Sequence, residues 1–173
     1  MSLSKRPLRP TGILFAALTI TGCGFQPLYA GSQAMSSDTI VEALATVHIS
    51  TISDRVGQIV RNDLLDRLTP FGQPVSPQFS LVVSLEEAKE GLALKIDETV
   101  TRFNLNLTAN YSLTDLQTGS VLTMGSVRAT SAYNVVRSDF ANIIAERDAQ
   151  RRASREISDE LKTRLAVFFN SSK

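Results

Sequence analysis

The one thiol of this chain, Cys23, follows directly on the run Leu18-Thr19-Ile20-Thr21-Gly22. A thiol is nucleophilic and can be acylated, and a cut directly before this one would make it a new N-terminus. The residues ahead of it are suited to export. Lys5, Arg6 and Arg9 give a basic start, Gly12 to Ile20 an apolar stretch, and Gly22 a small residue at the cut; these are the three parts of a secretory signal. The apolar stretch falls short of the ~20 residues that span a bilayer, so residues 1–22 are expected to be removed.

The other residues capable of chemistry do not assemble into a catalytic set. A nucleophile needs a neighbouring base, and the chain has a single histidine, His48, which stands in a strand-like run with no motif around it. Metal sites need clustered ligands, and the pair Glu86-Glu87 is a poor start, because adjacent strand residues point to opposite faces. The nine glycines are scattered and form no phosphate-cradling loop. Asn106-Leu107-Thr108 and Asn110-Tyr111-Ser112 match the glycosylation pattern without an expected role. No catalytic residue, metal site or cofactor beyond the covalent lipid on Cys23 is predicted, and the chain is not read as an enzyme.

Two sets of arginines remain. Arg102 and Arg128 fall on the polar faces of neighbouring predicted strands, where two guanidiniums could grip phosphate or carboxylate through charge-assisted bonds. Arg147, Arg151 and Arg155 form a row at i, i+4, i+8 of a predicted helix, where like charges repel mildly. That row suits an anionic partner, or a solvated face with Asp148, Glu156 and Asp159 within reach.

Removing residues 1–22 from the 173-residue chain leaves 151, enough for one domain that buries ~70% of its unfolded surface. The signal carries away three basic residues and no acidic one, so the net charge of +1 becomes about −2. Such a balanced chain makes no case for nucleic acid, which calls for a concentrated basic excess. With Cys23 committed to lipid, no disulfide is available.

Residues 23–44, with Pro27, Gly31, Ser32, Ser36 and Ser37, read as an acylated tether and irregular lead-in, and residues 45–169 as one domain. Val47 and Ile49 alternate with polar neighbours in a short strand ending near Ile52. Ser53 or Asp54 can cap a helix whose stripe is Val56, Val60, Leu64 and Leu68, stopped by Pro70 and Gly72. Phe79, Leu81, Val83 and Leu85 mark a second strand that turns at Glu90-Gly91. Phe103 to Leu113 alternate strictly with Asn, Thr and Ser in a third. Upstream, Leu92, Leu94, Ile96 and Val100 keep the opposite phase, which predicts a bulge or kink near Thr101-Arg102. Asp115 to Gly119 offer a turn, Val121 to Val136 a fourth strand, and Ser138 or Asp139 the start of a long helix to Phe169. Its stripe is Ala145, Ala149, Ala153, Ile157, Leu161, Leu165 and Phe168. The order β-α-β-β-β-α predicts an α+β two-layer sandwich, two helices on one face of a four-stranded, mostly antiparallel sheet.

Ile20-Thr21-Gly22-Cys23 resembles the lipobox of bacterial lipoproteins, which implies acyl and diacylglycerol lipid on Cys23, and Gly24, where an Asp would mark inner-membrane retention, favours the outer membrane. Cys23-Gly24-Phe25-Gln26-Pro27-Leu28-Tyr29 looks like the mature start of the LptE family of lipopolysaccharide-assembly lipoproteins, whose chain length and element order also match. The resemblance implies a periplasm-facing, lipid-anchored protein of the outer membrane. It would plug the LptD β-barrel as a 1:1 partner, assist that barrel's assembly and contact lipopolysaccharide. Only Cys23 carries over residue by residue; Arg102 and Arg128 are the candidates for lipopolysaccharide binding and rest on their placement alone. The competing reading is a lipid-binding or transporter-accessory lipoprotein without a barrel, which would need a large apolar cavity between sheet and helices.

Overall fold

The computed structural model describes residues 37–94 and 100–171. The signal sequence, Cys23 and the Cys23–Tyr29 motif lie outside them. Seven elements follow in order: α1 (Ser37–Ala45), β1 (Val47–Ile49), α2 (Asp54–Leu68), β2 (Phe79–Leu94), β3 (Val100–Asp115), β4 (Val121–Asn134) and α3 (Asp139–Ser171). The strands make one sheet in sequence order, β1 parallel to β2 and the rest antiparallel. The fold is the expected α+β sandwich with a mostly antiparallel sheet, with one helix more than the sequence reading allowed. That helix, α1, occupies the segment read as irregular; it is only 9 residues long, too short for periodicity to speak, and forms where Leu44 enters the core at 4% exposure.

Alternation decides which sheet face is covered. Leu81 and Val83 of β2, Leu105, Leu107, Ala109, Tyr111 and Leu113 of β3, and Val127, Ala129 and Tyr133 of β4 are buried beneath the helices. Residues at the positions between them form the outer face. Gly125 lies on the covered side, where an added Cβ would come within 3.0 Å of the Tyr111 hydroxyl; the missing side chain makes room for the ring on the neighbouring strand.

The phase change near Thr101 is real, but its geometry differs from the expected single kink. Gly91 pairs with Phe103, Ala93 with Arg102 and Leu94 with Val100. One extra residue, Leu92, therefore sits on β2 and a second, Thr101, on β3, and the two irregularities offset each other. The expected turn at Glu90-Gly91 is wrong: both residues continue β2, opposite Asn104 and Phe103. Leu92 and Leu94, read as the start of the third strand, belong to the end of the second. The hairpin connection lies within residues 95–99, outside the described residues. β1 also ends earlier than expected, at Ile49, although Ile52 beyond it is still buried at 2%.

The helices begin and end by different means. Ser53 stands at the N-cap of α2 with extended backbone and makes no side-chain capping bond, while Asp54 adopts φ 68°. The expected side-chain cap is absent; instead Gln58 Nε2 donates to the Ile52 carbonyl at 2.9 Å. At the other end Thr69 caps the helix, its N–H closing on Leu65 O at 2.9 Å, and beyond Pro70 the chain turns at Gly72, whose φ of 100° is left-handed. On α3, Ser138 Oγ accepts from the Ala141 amide at 3.4 Å, and Asn142 clasps both backbone groups of Val136 at 2.8 and 2.9 Å.

The 33 residues of α3 run about 50 Å at 1.5 Å each. Its buried positions Ala149, Ala153, Ile157, Leu161, Leu165 and Phe169 recur every four residues, so the stripe drifts by about 40° per step and winds around the helix. The drift brings Phe169 inward in place of the expected Phe168, which is only partly buried. Buried Ser154 and Ser158 return their hydroxyls to the helix's own carbonyls at 2.8 and 2.9 Å. Arg67 on α2 grips Asp159 on α3 at 2.6 Å.

Candidate functional site

The outer face of the sheet is a set of cross-strand rows read from β2 to β4. Registered pairs place Val82, Ser112 and Met124 in one row, then Ser84, Asn110 and Ser126, then Glu86, Thr108 and Arg128, then Ala88, Asn106 and Thr130, then Glu90, Asn104 and Ala132. Hydroxyl and amide groups dominate. Thr130 Oγ1 donates to Asn106 Oδ1 at 2.7 Å, a lateral bond that holds two strands' side chains in one plane. Around Ser84, Asn110, Ser112 and Ser126 lies an open depression of about 530 Å³, flanked by Val82 and Met124, which are 49% and 73% exposed.

Arg102 and Arg128 are both exposed, both on this outer face and on adjacent strands, as the alternation predicts. They do not converge. Arg102 is in register with Asn134 and Arg128 with Thr108, so six residues of β3, about 20 Å, separate the two rows. One phosphate cannot be held by both, whereas an extended ligand could touch each in turn. Arg128 Nε donates to the Thr108 hydroxyl at 3.3 Å. Its side chain also borders an open groove of about 500 Å³ between β4 and the second half of α3, whose other charged lining residues are Glu156, Asp159, Glu160 and Arg164. Glu160, 2.8 Å from Arg164, raises that guanidinium's pKa further.

Arg147, Arg151 and Arg155 all lie exposed on α3. Of the acids expected to neutralise them, Asp148 meets Arg151 at 3.1 Å and also Arg152, while Asp159 is taken by Arg67. Among the described residues Arg147 and Arg155 have no ion pair. Ahead of this row stand Phe140, Ile143 and Ile144, exposed by 74%, 50% and 43%. The stripe read from the sequence begins at Ala145 and leaves these three without an assignment.

Glu86 and Glu87 do face opposite sides, as their adjacency requires. Glu87 accepts a 2.8 Å bond from Gln150, which also receives Arg55. Lys89 continues the chain to Glu146 at 2.6 Å, a contact that raises the lysine's pKa. This network ties α2, β2 and α3 together, and its one sequence signal is a glutamine, Gln150, beside the apolar stripe of α3. His48 pairs in register with Ser80 and is half-buried; among the described residues it makes no hydrogen bond to a carboxylate or hydroxyl. Within those residues there is no group of three or more potential metal ligands, and no helix is long and apolar enough to cross a membrane.

Three solved structures share this architecture. A proposed lipoprotein from Caulobacter crescentus gives a TM-score of 0.64 at 22% identity, over 78% of this chain and 98% of that one. Rare lipoprotein B from Shewanella oneidensis gives 0.57 at 13% identity, over 73% and 98%. A minor lipoprotein from Acinetobacter baumannii gives 0.53 at 16%, over 70% and 91%. At these identities the likeness establishes the fold alone. No curated protein matches significantly. The model of the lipopolysaccharide-assembly family LptE, however, matches residues 44–165, from the end of α1 to the last turns of α3, and the chain therefore belongs to the LptE family of lipopolysaccharide-assembly proteins.

Proposed function

We propose that this protein is an outer-membrane lipoprotein, acylated at Cys23 and facing the periplasm, that plugs the lumen of the LptD β-barrel, helps that barrel assemble and contacts lipopolysaccharide on its way to the outer leaflet. The observation that carries the reading is the outer sheet face. Over three strands it presents Ser, Thr and Asn in register, with few charges. The interior of a large barrel is polar, and neutral hydroxyl and amide groups can bond to it without stranding a desolvated charge.

The reading without a barrel needs room for an acyl chain between sheet and helices. That layer is filled: Leu105, Leu107, Ile157, Leu161 and Leu165 all stand at 0% exposure. The family match favours the assembly role, and the names of the solved relatives agree with a lipid on Cys23. Arg102 and Arg128 are assigned to two separate contacts along one lipopolysaccharide molecule.

Purification from detergent-solubilised outer membrane tests the proposal. A large β-barrel is expected to co-purify in about equal amount, and the mass of the N-terminal peptide is expected to show an acylated Cys23. Repeated recovery as a lone monomer would contradict the plug; an unacylated peptide would contradict the anchor.

A further inference from the structure

The solvent face of α3 changes character along its length. Phe140, Ile144, Arg147, Arg151 and Arg155 follow one another in steps of four or three, the spacing that stacks side chains in one line, with Ile143 beside them. All are exposed, on the side of the helix away from the buried stripe of Ala149 and Ala153. The line covers about 22 Å at 1.5 Å per residue. It starts as an apolar knob and ends as three guanidiniums.

Neither half is explained by the fold. Three arginines at i, i+4, i+8 repel one another, and Arg147 and Arg155 have no ion pair among the described residues. Elsewhere on the two long helices Arg67, Arg152 and Arg164 are paired with Asp159, Asp148 and Glu160, and within the row only Arg151 has an acid among the described residues, Asp148. Phe140 leaves 74% of its surface in water although it adjoins the half-buried Ala141. Exposed apolar side chains next to cations on one surface can meet a bilayer together, the former in the acyl boundary and the latter among headgroup phosphates.

We propose that this ridge docks the protein on an anionic phospholipid bilayer. Tether length and charge select that occupant. Fourteen residues, Cys23 to Ser36, precede the first described helix, and fully extended they reach about 50 Å. If Cys23 is acylated, as proposed above, that length is the limit between a membrane surface and the first residue of α1, and the exposed arginines of the ridge complement an anionic surface in charge. A basic patch beside a lipid anchor adds electrostatic attraction to an anionic surface. In this state the free domain lies with the start of α3 dipped into the interface, before capture by a barrel.

The test uses the full mature chain with Cys23→Ser, so that binding cannot come from lipid and the outcome is independent of acylation. Vesicles of phosphatidylethanolamine with phosphatidylglycerol are titrated against vesicles of phosphatidylcholine. Binding is expected to the anionic vesicles only, and to weaken as salt is raised. The combined variant Arg147→Gln, Arg151→Gln, Arg155→Gln is expected to bind them about 100-fold more weakly, and Phe140→Ser with Ile144→Ser about tenfold more weakly. Lysines at the same three positions should retain binding, which separates a charge effect from a folding defect. Equal binding to both vesicle types, or unchanged binding by the glutamine variant, overturns the proposal. So does a glutamine variant that loses binding to lipopolysaccharide while keeping the vesicles, since the ridge would then serve lipopolysaccharide.

Discussion

The two faces of the sheet are made from alternate residues of the same three strands, yet they are held to different standards. On the helix side Leu107 and Leu113 have no exposed surface, and volume and shape are fixed by what packs above them. On the outer side their neighbours Asn106, Thr108 and Ser112 face nothing in this chain beyond their own row. A face that polar contributes little to holding the domain together. Its composition is better explained by what it meets than by what it stabilises.

That contrast can be broken most directly in stability. Leu107→Ala is expected to cost ~2–5 kcal/mol through reduced burial and the cavity left behind. Asn106→Ala, one residue away on the opposite face, should change stability by no more than ~0.5 kcal/mol. Urea denaturation of both variants decides it, and a cost at Asn106 equal to that at Leu107 would mean that the outer face is structural.

Function should show the reverse order. Arg102→Ala with Arg128→Ala should leave the denaturation midpoint unchanged and weaken lipopolysaccharide binding by about tenfold for each charge-assisted hydrogen bond removed. Because the two rows lie about 20 Å apart, the single variants should each lose part of the affinity and their effects should add. An undiminished titration with the double variant would remove both residues from the site.

A smaller effect than that of Leu107→Ala is expected in the helix layer. Arg67, hydrogen-bonded to Asp159, holds that carboxyl below its ordinary pKa. A carboxylate depressed in the folded state adds stability above its unfolded pKa and loses it as pH falls through the folded one. Asp159 is largely exposed, so Asp159→Asn should cost less than ~1 kcal/mol at neutral pH. The same variant should flatten the acid side of the stability profile; an unchanged acid limb would show that the pair carries none of it.

How much of this was legible in the sequence follows from how many residues carry each signal. β3 could be read residue by residue because eleven positions from Phe103 to Leu113 alternate without exception, and α3 because its stripe runs for six steps. The hairpin turn was misplaced because Leu92 and Leu94 share their phase with Val100, across the connection, rather than with Leu85 in their own strand. The extra residue Leu92 on β2 causes that shift, and no local composition announces it. Helix α1 was missed because one buried leucine and a partly buried isoleucine do not make a period. At the candidate site, alternation correctly put Arg102 and Arg128 on one face. Their separation depended on strand register, which is set by the β3–β4 turn and its irregularity between Leu113 and Thr114.

The outer face itself offers the most direct measurement. A photo-crosslinking residue at Asn110, exposed at the centre of that face, and another at Asp66, exposed on α2, can be activated in intact cells. If the sheet face lines the contact with the barrel, Asn110 gives a covalent adduct with a large β-barrel protein and Asp66 gives little. An adduct from Asp66 with none from Asn110 would contradict it, and would turn the domain's helix layer toward the wall instead.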